Sequence, residues 1–243
     1  MPVGRSDRNH YSAMCSRYNL TSPHEAVRAH FRHSSPHVFP PRYNIAPTQP
    51  VAIIRRGPIE HREFMLARWG LIPQWVKDPR TFTVLINARA ETVAEKPAYR
   101  GAIRHRRCLV PADGFYEWSG PAGRKRPHLI RSRNGGLMAF AGLHECWLGA
   151  DGSEIDTMAI LTVAANATVG TIHDRMPAII APGEFDAWLD CSEIYVKDAV
   201  QLLRPAAADH LEIIEVDPRL NNPRHDGPEV LKPLPGPAQG QLF

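Results

Sequence analysis

The chain has 243 residues, 43% of them hydrophobic, and a formal net charge of +4. This length fits one large domain, and the apolar content is enough for a buried core, which excludes a disordered chain. Residues 1–13 lack the apolar segment of a secretory signal. No uncharged stretch reaches the roughly 20 apolar residues of a membrane span. We therefore expect a cytoplasmic protein that does not enter a membrane.

The first predicted element is a helix beginning near Ser22, because Ser22-Pro23-His24-Glu25 has the pattern of a capping box with Pro at the first helical position. Short runs rich in β-branched and apolar residues predict seven strands: Val51–Arg55, Glu63–Ala67, Cys108–Val110, His128–Arg131, Leu137–Leu143, Met158–Ala164 and Leu211–Val216. Further short helices are predicted at Ala90–Ala94, Glu184–Leu189 and Val196–Leu203. Strands outnumber helices without regular alternation, which indicates an α+β fold.

The ends of the chain differ in composition from its middle. Residues 1–13 show no apolar periodicity or capping signal, and the last dozen residues are rich in Pro and Gly. We therefore divide the chain into an N-terminal extension (1–13), one domain (14–231) and a flexible C-terminal tail (232–243).

Cysteine spacing and charge distribution narrow the function further. The four cysteines form no C-x-x-C pair, so we expect neither a disulfide framework nor a metal site, and we interpret Cys108, Cys146 and Cys191 as buried, reduced thiols.

The segment from Lys96 to Arg133 contains ten basic residues and only two acidic ones. Such a local excess is expected of a surface that binds phosphate, although a solvated loop face has the same composition.

Common nucleotide-binding, zinc-protease and serine-hydrolase signatures are absent from the sequence. Polar, aromatic and Gly/Pro residues instead form six dense clusters that we interpret as loops at strand ends, where functional side chains are often displayed. The clusters are Met14–Tyr18, Tyr43–Gln49, Arg68–Trp75, Asn87–Thr92, Pro111–Trp118 and Ile172–Pro177.

In the order and content of these clusters the chain resembles the SOS-response-associated peptidase family, whose members are described as abasic-site processing proteins. The resemblance runs from Met14 through Asn221–Pro228. It implies one α+β domain built on a strongly bent, barrel-like mixed β-structure flanked by short helices. It also implies a role in DNA damage repair and the SOS response, with a positively charged groove for single-stranded DNA. The implied partner is single-stranded DNA with abasic sites, bound at the nucleoid by a monomer without cofactor.

The family resemblance assigns the central chemistry to Cys15, as an N-terminal cysteine that captures abasic sites covalently. An abasic deoxyribose opens to an aldehyde, and a 1,2-aminothiol condenses with an aldehyde to a five-membered thiazolidine. Only an N-terminal cysteine offers amine and thiol on adjacent carbons. An α-amine titrates near ~7.7–8.0, so an appreciable fraction is nucleophilic at physiological pH.

The remaining site residues also follow from the resemblance. Glu117 matches the family's acid and would move protons during this lyase-like reaction, and His173 would protonate the sugar or assist reversal of the adduct. Asn87 would orient the sugar or the cysteine. The expected DNA contacts are Arg17 and Arg89 on phosphates and Trp69 on bases, whereas Trp75 and Trp118 are expected in the core.

Two features of the sequence bear directly on this interpretation. Ser16 stands where family members usually have Gly, which would cause strain if the position needed a positive φ. Thirteen residues precede Met14, so Cys15 must become the first residue, by translation from Met14 or by cleavage. Two alternatives stay open: a cysteine peptidase or self-processing hydrolase using Cys15, and a non-catalytic module that binds single-stranded nucleic acid.

Overall fold

The computed structural model describes residues 15–57 and 61–234, which contain twelve strands and four short α-helices. The strands are β1 (Tyr18–Leu20), β2 (Arg42–Ile45), β3 (Pro50–Arg56), β4 (Arg62–Trp69), β5 (Asn87–Arg89), β6 (Arg107–Ala112), β7 (Gly114–Ser119), β8 (Arg126–Ser132), β9 (Met138–Leu148), β10 (Glu154–Ala164), β11 (Arg175–Pro177) and β12 (Leu211–Glu215). The helices are α1 (His24–Phe31), α2 (Ala102–His105), α3 (Phe185–Leu189) and α4 (Val196–Ala199).

Two sheets build the domain. In the first, β10, β4, β3, β6 and β9 are hydrogen-bonded in that order, and β9 pairs again with β10, so the five strands close into a ring. Gly142 of β9 lies where that strand pairs with both β6 and β10, and a Cβ there would stand only 2.8 Å from the Cys108 Sγ. β5 and β11 extend this sheet from β10.

The second sheet is antiparallel, in the order β12, β8, β7, β1, β2. Its inner face packs on the ring through aromatic side chains. The Tyr18 ring meets the edges of Trp69 and Phe140 at centroid distances of 5.4 and 6.0 Å, and Phe115 meets Phe140 at 5.9 Å. Because these rings come from both sheets, they fix β1 and β7 against the ring of strands.

The structure confirms the α+β class, the bent β-structure and each of the seven predicted strands. The helix at Glu184–Leu189 is observed as α3 after a short turn, and Val196–Leu203 forms α4 followed by a 3-10 turn. The clusters interpreted as loops include five short strands, β1, β2, β5, β7 and β11. Their side chains are therefore held by sheet hydrogen bonds, which position them more rigidly than a loop does.

Two local predictions are wrong. The Ser22 hydroxyl does not cap α1 but hydrogen-bonds Asp113, whose carboxylate also accepts the backbone N–H groups of Thr21 and Ser22. Ala90–Ala94 forms successive turns rather than a helix, with i to i−3 bonds such as Thr92 N–H to Arg89 O. The first difference follows from the contact with Asp113. The Ser22 hydroxyl is bound to this carboxylate and makes no hydrogen bond to the N–H groups at the start of α1.

The chain remains bound to the second sheet as far as Leu234, whose N–H donates to the carbonyl of Glu215. Residues 232–234 of the predicted tail therefore belong to the fold. The rest of that tail (235–243) and the predicted N-terminal extension (1–13) lie outside the described residues. Among the helices of the described residues, none is long and apolar enough to cross a membrane.

Candidate active site

Cys15 lies just before β1, and the pairing of β1 with β7 determines what it contacts. Tyr18 stands opposite Phe115, and the ladder continues with the Tyr116 N–H donating to the Arg17 carbonyl at 3.0 Å. This register carries the Cys15 nitrogen to the Glu117 carboxyl, with 2.9 Å between N and Oε1. The sheet thus holds the nitrogen of Cys15 and the carboxyl of Glu117 in direct contact.

Both side chains of this pair are buried, and Cys15 is only 1% exposed. The pKa of Glu117 is raised to about 8, chiefly by burial and to a lesser extent by the nearby Asp174, while the Cys15 N–H and Lys125 oppose the rise. Burial, and then the Glu117 charge, hold the pKa of the Cys15 thiol well above its usual value. At neutral pH the carboxyl therefore keeps a proton that it can donate, and the thiol is protonated.

The backbone has a positive φ at Cys15, and not at Ser16, where the sequence had raised that question. Cys15 has φ +33°, in the left-handed region that non-glycine residues rarely adopt, whereas Ser16 is outside the set of residues with positive φ. The strain anticipated from Ser16 does not arise.

Asn87 is the third member of the site. β5 runs parallel to β10, pairing Asn87 with Ile160, and the Asn87 Nδ2 donates to the Cys15 carbonyl at 3.3 Å. The hydroxyl of Tyr99 donates to the Asn87 carbonyl at 3.0 Å. Asn87 therefore contacts the backbone of Cys15 directly from a strand.

His173 lies on the half-buried turn before β11. Its Nδ1 accepts the Arg175 N–H at 3.0 Å and lies 3.2 Å from an oxygen of Asp174. The turn faces the site, since the charge of Asp174 acts on Glu117.

The two arginines assigned to phosphate differ in their surroundings. Arg17 is half-buried, donates from Nη1 to Asn44 Oδ1 (2.8 Å) and to the Leu220 carbonyl (3.1 Å), and lies 5.8 Å above the Trp118 ring. Arg89 is exposed at the end of β5. The Arg17 side chain is therefore held in place by its partners, whereas the Arg89 side chain is exposed to solvent.

Sequence reasoning missed Asn44, which is completely buried in β2. Its amide nitrogen donates to the carbonyls of Leu220, Asn222 and His225, and its oxygen receives Arg17. A buried amide with all its hydrogen bonds made fixes the segments that it joins. The signal available in the sequence was the Tyr43–Gln49 cluster itself, to which no catalysis was assigned.

The structure corrects the predictions for Trp69 and Trp75, whereas Trp118 packs against a small core cluster, as predicted. Trp69 is fully buried, and its Nε1 donates to the Ile86 carbonyl at 2.8 Å, so its ring is not available to bases. Trp75, predicted in the core, is 61% exposed, and its ring meets the edge of Phe82 at a centroid distance of 5.6 Å. It lines a hollow of about 480 Å³ together with Arg100 and Arg104. Trp118 is half-buried, with its Nε1 donating to Asn221 Oδ1 at 2.7 Å.

The basic segment between Lys96 and Arg133 is not one uniform surface. Arg107 is buried and donates to the backbone carbonyls of Ile103, Trp188, Asp190 and Ile194. Three more side chains form ion pairs: Arg106 with Glu145, Arg126 with Glu215 and Arg131 with Glu212. The remaining six are exposed, and they are Lys96, Arg100, Arg104, Arg124, Lys125 and Arg133.

Cys108 is buried, as predicted, but Cys146 and Cys191 are half-buried, and all are free thiols. Within residues 15–57 and 61–234, no group of three or more His, Cys, Asp or Glu side chains is arranged to hold a metal ion.

Comparison with known proteins identifies the family. The profile of the SOS response associated peptidase (SRAP) family matches residues 14–223. This chain belongs to the SRAP family. The abasic site processing protein YoqW of Bacillus subtilis is 36% identical over 223 residues, which cover 90% of this chain and 99% of that protein. YoaM of the same organism, also named an abasic site processing protein, is 38% identical over 225 residues, or 90% and 97% of the two chains.

Relatives of greater length and solved structures agree with this assignment. The abasic site processing protein HMCES of Gallus gallus is 34% identical over 225 residues, covering 80% of this chain and 66% of that protein. A crystal structure of a protein from Bacteroides thetaiotaomicron superposes with a TM-score of 0.80 at 26% identity, covering 90% of this chain and 100% of that one. This chain and that protein therefore share one fold.

Proposed function

We propose that this SRAP protein processes abasic sites in single-stranded DNA by forming a covalent thiazolidine crosslink through Cys15. The observation that carries the proposal is the 2.9 Å contact between the Cys15 nitrogen and a Glu117 carboxyl that is protonated near neutral pH. A proton donor at this nitrogen is what carbinolamine dehydration requires. The names of the relatives YoqW, YoaM and HMCES support the substrate class.

The proposed reaction proceeds in three steps. The Cys15 amine adds to the aldehyde carbon of the ring-opened sugar, giving a carbinolamine. Glu117 then protonates the carbinolamine hydroxyl, which leaves as water and yields an iminium ion. Finally the Cys15 sulfur attacks the iminium carbon, and the thiol proton passes to the Glu117 carboxylate. Asn87, bonded to the Cys15 carbonyl, holds the residue in position during these steps.

The first step needs a free α-amine, because an amide nitrogen is not basic and forms no Schiff base. We therefore propose that the active form begins at Cys15. The same contact favours a second, self-processing activity on the bond between residues 14 and 15. In that reaction the Cys15 thiol would attack the carbonyl of residue 14, and Glu117 would protonate the departing amine. Water would then hydrolyse the resulting thioester.

Single-stranded DNA is the proposed form of the substrate, because an aldehyde between unstacked bases is reachable without opening a duplex. Arg17 and Arg89 are the proposed phosphate contacts beside the lesion. The exposed Trp75 takes the place of Trp69 as the proposed stacking platform. With this substrate, the protein acts in the cytoplasm at the nucleoid.

The decisive experiment compares chains with defined N-termini on single-stranded DNA carrying one abasic site. We expect a chain beginning at Cys15 to give a heat-stable shifted band on a denaturing gel. A chain with an uncleavable segment before Cys15, verified by intact mass, is expected to give none. Cys15→Ser in the short chain should abolish the band, whereas Cys146→Ser, a half-buried free thiol on β9, should not.

The same experiment distinguishes the alternatives. Absence of a band from the short chain contradicts the proposal. DNA retention that is equal for the short chain and its Cys15→Ser variant, under native and denaturing conditions alike, would indicate a non-catalytic binding module. Cleavage of unrelated peptides that depends on Cys15 would indicate a general peptidase. Loss of residues 1–14 from a purified full chain, but not from its Cys15→Ser variant, would demonstrate the self-processing activity.

A further inference from the structure

A row of polar side chains crosses the second sheet beside the proposed active site. Glu117 of β7 stands directly opposite His128 of β8, and His128 stands directly opposite Glu215 of β12. Residues directly opposite one another in an antiparallel pair point to the same face, with Cβ atoms about 4.5–5.5 Å apart. The three side chains therefore form one line that starts at the carboxyl in contact with Cys15.

His128 is fixed within this line by a fourth residue. Ser119 lies two residues after Glu117 in β7, hence on the same face, and its Oγ is 2.7 Å from the His128 Nε2. Ser119 is half-buried, next to the exposed turn that joins β7 to β8. The His128 ring therefore lies on the face that carries Glu117, with its Nε2 held by Ser119 near the rim of the sheet.

The charges around His128 suit an imidazole that accepts a proton transiently. The side chain is 8% exposed, and burial lowers its pKa, so the ring is neutral at pH 7. Glu215 on one side favours the charged form, and Arg126 on its own strand opposes it. Glu117 faces it from β7 and is itself held protonated by burial and Asp174, against Lys125. A neutral ring with a carboxylate behind it can take a proton and hold it.

The proposed reaction has one proton to dispose of. Below a pKa of about 7.7–8.0 the α-amine of a terminal cysteine is an ammonium group, which must lose a proton before it can add to the aldehyde. Glu117 donates one proton to the leaving hydroxyl and receives one from the thiol, so those two transfers balance. The ammonium proton is left over, and it must reach solvent from a buried site.

We propose that His128 is a positioning residue that acts through Glu117: it accepts the carboxyl proton of Glu117 as that carboxyl takes a proton from the Cys15 ammonium, and it releases this proton toward solvent beside Ser119. In this transfer the ammonium becomes an amine, Glu117 exchanges one proton for another and so stays protonated for the dehydration step, and His128 becomes an imidazolium facing Glu215. The imidazolium returns to the neutral ring when it releases the proton at the sheet rim. This inference rests on the proposed crosslinking function.

The test measures single-turnover crosslinking rates from pH 6 to 9 with chains that begin at Cys15. His128→Gln keeps a hydrogen-bonding partner for Ser119 but accepts no proton. We expect its rate to fall about tenfold at pH 6.5, at the low end of what a proton-transfer residue contributes. The rate should approach that of the unmodified chain above pH 8.5, where the amine loses its proton to bulk water.

Two controls separate proton transfer from a structural role. His144→Gln replaces another histidine that is 8% exposed, on β9, and should leave the pH profile unchanged. Added imidazole should restore the rate of His128→Ala, because it can accept the proton in the vacated space. If His128→Ala fails to fold, Ser119→Ala serves instead and should weaken the low-pH rate less than His128→Gln does.

The same measurements separate a failure of the inference about His128 from a failure of the proposed crosslinking function. If the unmodified short chain forms no crosslink, the function itself is wrong. If that chain crosslinks and His128→Gln has the same pH profile, the inference about His128 is wrong. A uniform slowing at every pH also overturns it, since a purely structural role for His128 predicts that result.

Discussion

Replacing Glu117 by Gln removes a buried ionisable group while keeping the shape and hydrogen-bonding capacity of the side chain. In the folded chain the carboxyl has a pKa of about 8, against an ordinary value of 4.5. Between these values the folded state holds a proton that the unfolded state has released. The stability of the unmodified chain must therefore fall as the pH rises from 4.5 to 8.

The magnitude follows from the size of the shift. Each pH unit inside this window costs roughly 1.4 kcal/mol of unfolding free energy. Between pH 5.5 and 7.5 the full chain should lose roughly 2–3 kcal/mol from this group. Glu117→Gln should lose none of this free energy. The unfolding free energy of the variant, relative to that of the unmodified chain, should therefore rise by roughly 2–3 kcal/mol between pH 5.5 and 7.5.

The assay is urea unfolding followed by tryptophan fluorescence at pH 5.5, 6.5 and 7.5 for both chains. The matched control is Asp156→Asn, which removes an exposed carboxylate near the start of β10. Its unfolding free energy should change with pH in the same way as that of the unmodified chain. A chain beginning at Cys15 should show a weaker slope, because its ammonium group favours the ionised carboxylate. Parallel curves for Glu117→Gln and the unmodified full chain would refute the argument that burial keeps Glu117 protonated.

Three further predictions concern stability and DNA binding. Trp69→Ala should destabilise the fold by about 3–5 kcal/mol, whereas Trp75→Ala should change stability little and weaken binding of single-stranded DNA by about 1–3 kcal/mol; denaturant titration and fluorescence anisotropy measure the two effects. Arg89→Gln should reduce the slope of log affinity against log salt by about 0.7–1, whereas Arg107→Gln should lower stability instead. Abasic single strands should crosslink faster than abasic duplex, and equal rates would contradict the preference.

The family resemblance carried by the local clusters was sufficient to predict which side chains meet around Cys15. Cys15, Glu117 and Asn87 were each predicted, and the structure brings them into contact. The register that joins them was not predicted, because β7 was interpreted as a loop. Without that strand, the position of His128 opposite Glu117 could not be deduced, although His128 itself was placed in a strand.

The sequence-based predictions failed for side chains whose burial depends on packing between residues far apart in the chain. Trp69 and Trp75 stand six residues apart in one cluster, and composition does not distinguish them. Trp69 is buried because Tyr18 packs on it from the other sheet, a contact that local patterns do not encode. Likewise, counting charge between Lys96 and Arg133 could not reveal that Arg107 is enclosed by backbone carbonyls.

The central claim is that Cys15 joins the abasic sugar through both its nitrogen and its sulfur. The most direct test is mass spectrometry of the N-terminal peptide released from a nuclease-trimmed crosslink, before and after borohydride treatment. A thiazolidine predicts a Cys15 adduct whose mass is the sum of the reactants less one water, unchanged by borohydride and resistant to thiol alkylation. An adduct that gains two hydrogens on reduction, leaves the Cys15 thiol open to alkylation, or maps to another residue would contradict the account.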